Sequence, residues 1–169
     1  DQPLQFDFRL GNLCNLQCQM CNKEASHLVS VERATMVQSG LGANHPDWDG
    51  NIANKKEALL QPGIEWESFE RMLPYARKIK LIGGEPTVAT DMFKLLDIAT
   101  ASGHAEHIEL SFYTNITNMQ DKWLDQLAKF EKVIVIPSGT PWLKENPPVA
   151  TAEQRFQMCD LAITSMGLS

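Results

Sequence analysis

The chain has 169 residues, 43% hydrophobic and 21% charged, a composition that supports one ordinary soluble domain with a core of its own. Acidic residues outnumber basic ones, 21 to 15, and the formal charge of −6 argues against broad phosphate-backbone binding, and so against a nucleic-acid partner. No apolar run approaches the ~18 residues that span a bilayer, so no membrane partner is expected, and no signal-peptide pattern is visible. The chain begins at Asp1 rather than Met, as a processed chain would.

LQFDFRL, residues 4–10, alternates apolar and polar side chains, which predicts a strand with one covered face. A cysteine-rich loop follows. Residues 24 to about 38 place Leu28, Val31, Ala34 and Met36 or Val37 at helical spacing. The Gly/Asn/Pro-rich stretch after it, about 40–63, reads as a long surface loop inserted in the domain, and loops of that length are usually functional or disordered. It could close over a site as a lid, with Trp48 and Asp47 or Asp49 touching substrate, although surface decoration is the plainer reading. Trp66, Phe69, Leu73 and Ala76 form a second helical stripe. RKIK, residues 77–80, reads as a solvated strand entry, and KLIGG, 80–84, as a strand ending in glycines.

A helix is expected near 90–102, with Phe93 and Leu96 on one face and Gly103 as its stop. IELSFY, 108–113, reads as a strand, and 119–130 as a helix carrying Trp123, Leu127 and Phe130. VIVI, 133–136, is a continuous apolar run of the kind buried on both faces of a sheet. A last helix starts at Thr151, where Gln154 can complete a capping box. Its face of Phe156, Cys159, Ile163 and Met166 reads as core, with Cys159 a small hydrophobe. Strands alternating with helices predict an α/β domain, residues 1–169, with a parallel sheet or barrel built from βα units.

In such folds ligands bind at the carboxyl ends of strands, and the unusual residues all fall there. Cys14, Cys18 and Cys21 follow the first strand with the spacing C-x3-C-x2-C. Gly83, Gly84, Glu85 and Pro86 follow the second, Thr114 and Asn115 the third, and Pro137-Ser138-Gly139-Thr140 the fourth. Apart from the cysteines, each reads alone as a turn. Three thiols in one short loop predict metal ligation in a reducing compartment, hence a cytoplasmic protein, rather than a disulfide framework. Thiolates select zinc or iron–sulfur clusters. Structural zinc needs a fourth ligand, which His27 could supply, although an exposed helical residue is its plain alternative. A 4Fe–4S cluster held by three thiolates instead leaves one iron open to a substrate or cofactor.

Cys14-x3-Cys18-x2-Cys21 after one strand and Gly83-Gly84-Glu85-Pro86 after the next resemble the radical S-adenosylmethionine (SAM) superfamily. The context FRLGNLCNLQCQMCN is similar to members that modify peptides or proteins and to their twitch and SPASM relatives. The resemblance covers roughly residues 4–140. It implies a parallel partial (β/α) barrel and an enzyme of oxidoreductase or lyase type. In that family a 4Fe–4S cluster on Cys14, Cys18 and Cys21 reductively cleaves SAM to a 5′-deoxyadenosyl radical, which abstracts hydrogen from substrate. A peptide or protein substrate and an electron donor such as flavodoxin or ferredoxin are implied as partners.

By the same resemblance, Gly83, Gly84, Glu85 and Pro86 receive the SAM amino group: the glycines admit close backbone approach and the carboxylate favours an ammonium. Asn115 matches a polar residue near the SAM carboxylate or ribose, and Ser138 one that meets the ribose. Met20 stands where the family commonly has an aromatic residue against adenine, so altered adenine contact is expected. IPSG, residues 136–139, lacks the acidic residue found before glycine in near relatives. The barrel expected here is truncated to about four βα units, fewer than the family's. A non-catalytic Cys3His zinc domain, or a domain that keeps its cluster only for structure, is the alternative.

Overall fold

Four segments of the chain alternate side chains across a pleat, and all four become strands of one sheet. A computed structural model describes residues 4–18, 21–42, 44–46, 48–52, 54–118, 120–137 and 151–165. The strands are β1 (Gln5–Arg9), β2 (Lys78–Ile82), β3 (Glu109–Thr114) and β4 (Lys132–Pro137). They are all parallel and lie in the order β1-β2-β3-β4, with Phe8 opposite Leu81, Leu81 opposite Phe112 and Phe112 opposite Val135. Parallel neighbours need a crossover. Here the crossovers contain α1 (His27–Gln38) and α2 (Trp66–Met72), then α3 (Thr90–Ala101), then α4 (Asp121–Leu127); α5 (Ala152–Ser165) follows the last strand. The fold is therefore α/β with a parallel sheet, as the element pattern predicts.

One face of the sheet makes the core. Ile79 and Leu81 of β2 and Leu110 and Phe112 of β3 are buried in one cluster with Phe69, Met92, Leu95, Leu96, Trp123 and Leu127 of the helices. Phe93 meets Trp123 edge-on, with centroids 4.5 Å apart. The alternate side chains (Asp7, Arg9, Lys78, Tyr113 and Lys132) are exposed on the opposite face. This corrects the expectation for β4. Val133, Ile134 and Val135 are only half-buried and Ile136 is 37% exposed, because β4 is the outer strand of the described sheet and its second face is uncovered among the described residues.

The helix boundaries follow local chemistry. Pro74 has no amide proton to continue α2, so the chain tightens into a 3-10 turn at Leu73–Tyr75, still burying Leu73 and Ala76. Gly103 adopts φ 76° just past α3, where a side chain would be strained. Thr151 and Gln154 form the reciprocal capping box, at 2.8 and 3.1 Å. Two stripes differ from expectation. In α1 the buried positions are His27, Val29, Ser30 and Ala34, while Leu28 and Val31 are half-exposed, because the helix is anchored through its first turn to the cysteine loop. In α5 Phe156 is 60% exposed, so the expected core face does not extend to it; the side chains of Cys159 and Ile163, and all of Met166, lie outside the described residues. Among the described residues no helix is long and apolar enough to cross a membrane.

Candidate functional site

The carboxyl ends of β1, β2 and β3 meet. Pairing between β1 and β2 does not stop where the strands do: Leu10 N donates to Ile82 O (3.0 Å), Gly84 N to Gly11 O (2.8 Å) and Glu85 N to Leu13 O (2.8 Å). The Gly-Gly pair makes this possible. Gly83 has φ 125°, and a Cβ on Gly83 or Gly84 would overlap the carbonyl of Gly11 or Leu13 respectively. The close backbone approach that these glycines serve is thus to the segment that leads into Cys14.

That segment is held from behind by Asn12, which is fully buried. Its side chain donates to the carbonyls of Lys23 (2.7 Å) and Ala58 (2.9 Å) and accepts from the Leu60 amide (2.7 Å). Its backbone carbonyl receives the His27 amide at 2.8 Å. Ser26, also buried, donates its hydroxyl to Leu16 O (2.9 Å), and Arg33 donates to Cys21 O (3.0 Å). His27 is 6% exposed, not the exposed helical residue of the plain reading; its Nδ1 accepts from the Cys14 amide at 3.3 Å. Burial holds its pKa below the ordinary imidazole value.

The three thiols are free and half-buried. Burial, reinforced by the neighbouring Cys18 and Cys14 sulfurs, pushes the Cys21 thiol up to about 11. Burial also raises Cys14; the Leu16 amide at its sulfur opposes this, while Glu85 and Cys18 add to it. Three soft sulfur donors on one short loop suit a thiophilic cation, and in that sense the residues fit a thiolate-held centre. As they stand, no three His, Cys, Asp or Glu side chains among the described residues are arranged to hold a metal ion. Ligation would therefore draw the sulfurs together and release protons.

Glu85 joins the strand ends. It is 3% exposed and caps the 3-10 turn Pro86–Val88, with Pro86 at the first position, where a missing amide proton costs nothing. Its Oε1 accepts from Thr87 N (3.1 Å), Thr87 Oγ1 (2.6 Å) and Thr114 Oγ1 (2.6 Å); its Oε2 accepts from Asn115 N (2.7 Å). Asn115 also donates through Nδ2 to Asn15 Oδ1 (2.9 Å), beside Cys14. Asn15 in turn donates to Thr117 Oγ1 at 2.6 Å. The structure thus brings Cys14, Gly83, Gly84, Glu85, Pro86 and Asn115 to one place, with Cys18 and Cys21 on the same loop. Met20 and Ser138 lie outside the described residues, as does Asp47.

Sequence reasoning missed Asn12, Asn15, Ser26 and Thr87 and gave Thr114 only a turn. Glu-Pro-Thr carries a capping signal, glutamate before an N1 proline, that points to Thr87. Nothing local distinguishes Asn12, whose partners are up to 48 positions away. No known protein family, curated protein or solved structure matches this chain.

Proposed function

We propose that this chain is a radical SAM domain, a parallel partial (β/α) barrel whose strand ends hold a 4Fe–4S cluster on Cys14, Cys18 and Cys21 and SAM beside Glu85. One observation carries the reading. The cysteine loop is paired directly to the Gly83-Gly84-Glu85 segment, so a centre on the thiols would lie next to a buried carboxylate with acceptor capacity. The consecutive strand order supports the barrel, since a doubly wound sheet reverses order at its middle. When bound, the cluster and SAM supply reductive cleavage of the sulfonium and so hydrogen abstraction from substrate. A peptide or protein substrate, a flavodoxin- or ferredoxin-like electron donor and a cytoplasmic setting belong to the same reading.

The chain's own residues then have distinct tasks. Cys14, Cys18 and Cys21 would provide the thiolates, and for Cys14 and Cys21, which burial and their neighbours raise, binding would have to displace the proton. Asn12, Ser26 and His27 fix the backbone from which the thiols project. Glu85 would accept a hydrogen bond from the SAM amino group, and the Gly83-Gly84 pairing sets its distance from Cys14. The competing zinc site needs His27 as a ligand, yet its Nδ1 is already engaged by the Cys14 amide, leaving only Nε2.

The test is the absorption spectrum of anaerobically purified protein with iron, sulfide and zinc assays on the same sample. Broad visible absorption with about four irons per chain, and SAM binding lost in Glu85→Gln, is the expected result. About one zinc per chain and no colour would establish the closed four-ligand site instead. A cluster whose protein ignores SAM would assign it a structural role.

A further inference from the structure

We propose that Thr114 is a positioning residue: its hydroxyl fixes the Glu85 carboxylate so that Oε2 alone keeps an acceptor site for an N–H of the SAM amino group. This rests on the reading above, in which SAM lies beside Glu85, and adds to it a residue and an atom.

A carboxylate has about four lone-pair sites, two on each oxygen. Oε1 receives three donors, two from Thr87 and one from Thr114, and is saturated. Oε2 receives one donor among the described residues, the Asn115 amide. The two threonines are not equivalent. Thr87 is two positions from Glu85, in the same 3-10 turn, so its two bonds to the carboxylate are local ones. Thr114 comes from the end of β3, 29 positions away, and is 3% exposed. Its hydroxyl has one proton. The Ile116 amide donates to Thr114 Oγ1 at 3.0 Å, which leaves that proton directed at Glu85.

The backbone is strained at the same spot. Ile116 has φ 58°, a left-handed conformation that a β-branched residue adopts only when its surroundings impose it. Just before it, Thr114 Oγ1 and Asn115 N both face one carboxylate. The Asn115 side chain reaches Asn15, next to Cys14. One dipeptide, Thr114-Asn115, therefore touches both the Glu85 carboxylate and the cysteine loop.

The experiment compares SAM with its desamino analogue by anaerobic calorimetry on cluster-loaded wild type, Thr114→Val and Thr114→Ser, with the cluster absorption of each recorded beforehand. Relative to wild type, Thr114→Val is expected to bind SAM about tenfold more weakly, the range for one hydrogen bond to a charged group, while Thr114→Ser keeps the wild-type affinity. The desamino analogue, which cannot make that bond, is expected to lose less than about threefold on the Thr114→Val substitution, with the cluster absorption unchanged. If Val fails to fold, Thr114→Ala takes its place and removes the hydroxyl without adding a methyl group. SAM affinity kept in a folded Val or Ala variant, or an equal loss for both compounds, overturns the role of Thr114 alone. A wild type that loads a cluster but binds neither compound overturns the SAM reading, and this inference with it.

Discussion

At the scale of single residues, the site is built from polar groups that are buried and nearly all satisfied, so the largest effects come from leaving one partner unmatched. Asn12 makes three side-chain hydrogen bonds to backbone groups of three different residues. Asn12→Ala strands those groups and is expected to lower the unfolding free energy of metal-free protein by about 3 kcal/mol, read from urea midpoints at constant slope. A loss below about 1 kcal/mol would mean that water replaces the side chain and that Asn12 does not organise the loop. Gly84→Ala tests the strand-tip pairing by the opposite route, since its methyl group must displace the Leu13 carbonyl. It is expected to destabilise by about 2 kcal/mol or more and, if the thiols hold the proposed centre, to weaken its retention together with it. The cysteines and Gly-Gly-Glu were legible because their chemistry is written within a few positions. The partners of Glu85 were not: Thr114 and Asn115 reach it only because β2 and β3 are neighbours in register, and one sequence does not record which strands adjoin.

At the scale of elements, periodicity located the strands and α-helices of the described residues, though not the 3-10 turns at Pro86–Val88 and His104–His107, and it misjudged some of the covered faces. VIVI has the composition of an interior strand, yet burial on both faces depends on what lies above the sheet, which no four-residue run encodes. On the open face, at the amino-terminal end of the sheet, Glu109 lies 3.4 Å from both Lys78 and Lys132, in register across β2, β3 and β4. Burial works to raise the Glu109 carboxyl, but the two lysines outweigh it and hold it below the ordinary glutamate range. The sign follows from linkage. A depressed folded-state pKa means that the unfolded chain binds the proton first, so this stabilisation is present above the unfolded-state pKa and is lost as pH falls through the folded one. The thermal midpoint is therefore expected to fall less between about pH 5 and about pH 3 in Glu109→Gln than in wild type. Parallel curves would show that the pair of lysines is screened by solvent and contributes nothing to the ladder.

At the scale of the whole molecule, the long loop and the cysteine loop form one unit. The sequence made 40–63 a candidate lid because of its length and its glycines. In the fold, Trp48 stacks on His45 (4.8 Å) and lies under the Arg33 guanidinium (5.9 Å), while Gln38 donates to Gly50 O. Its far end is fastened through Ala58 and Leu60 to Asn12. Arg33 is the link that matters, because the same guanidinium donates to the Cys21 carbonyl. Removing the indole frees a rotamer-rich side chain that otherwise holds the last thiol's backbone, at a loss of about 0.5–1 kcal/mol of cation–π attraction. If the thiols hold the proposed centre, Trp48→Ala is thus expected to lose its metal faster under chelator challenge, while its urea midpoint stays within about 1 kcal/mol of wild type, as for a partly exposed site away from the main core. A lid would behave differently. Its loss would leave metal retention unchanged and alter only the turnover of substrate. Unchanged retention in Trp48→Ala, with the deletion of residues 43–53 affecting turnover alone, would therefore return the loop to the lid role and sever the brace from Arg33 to Cys21.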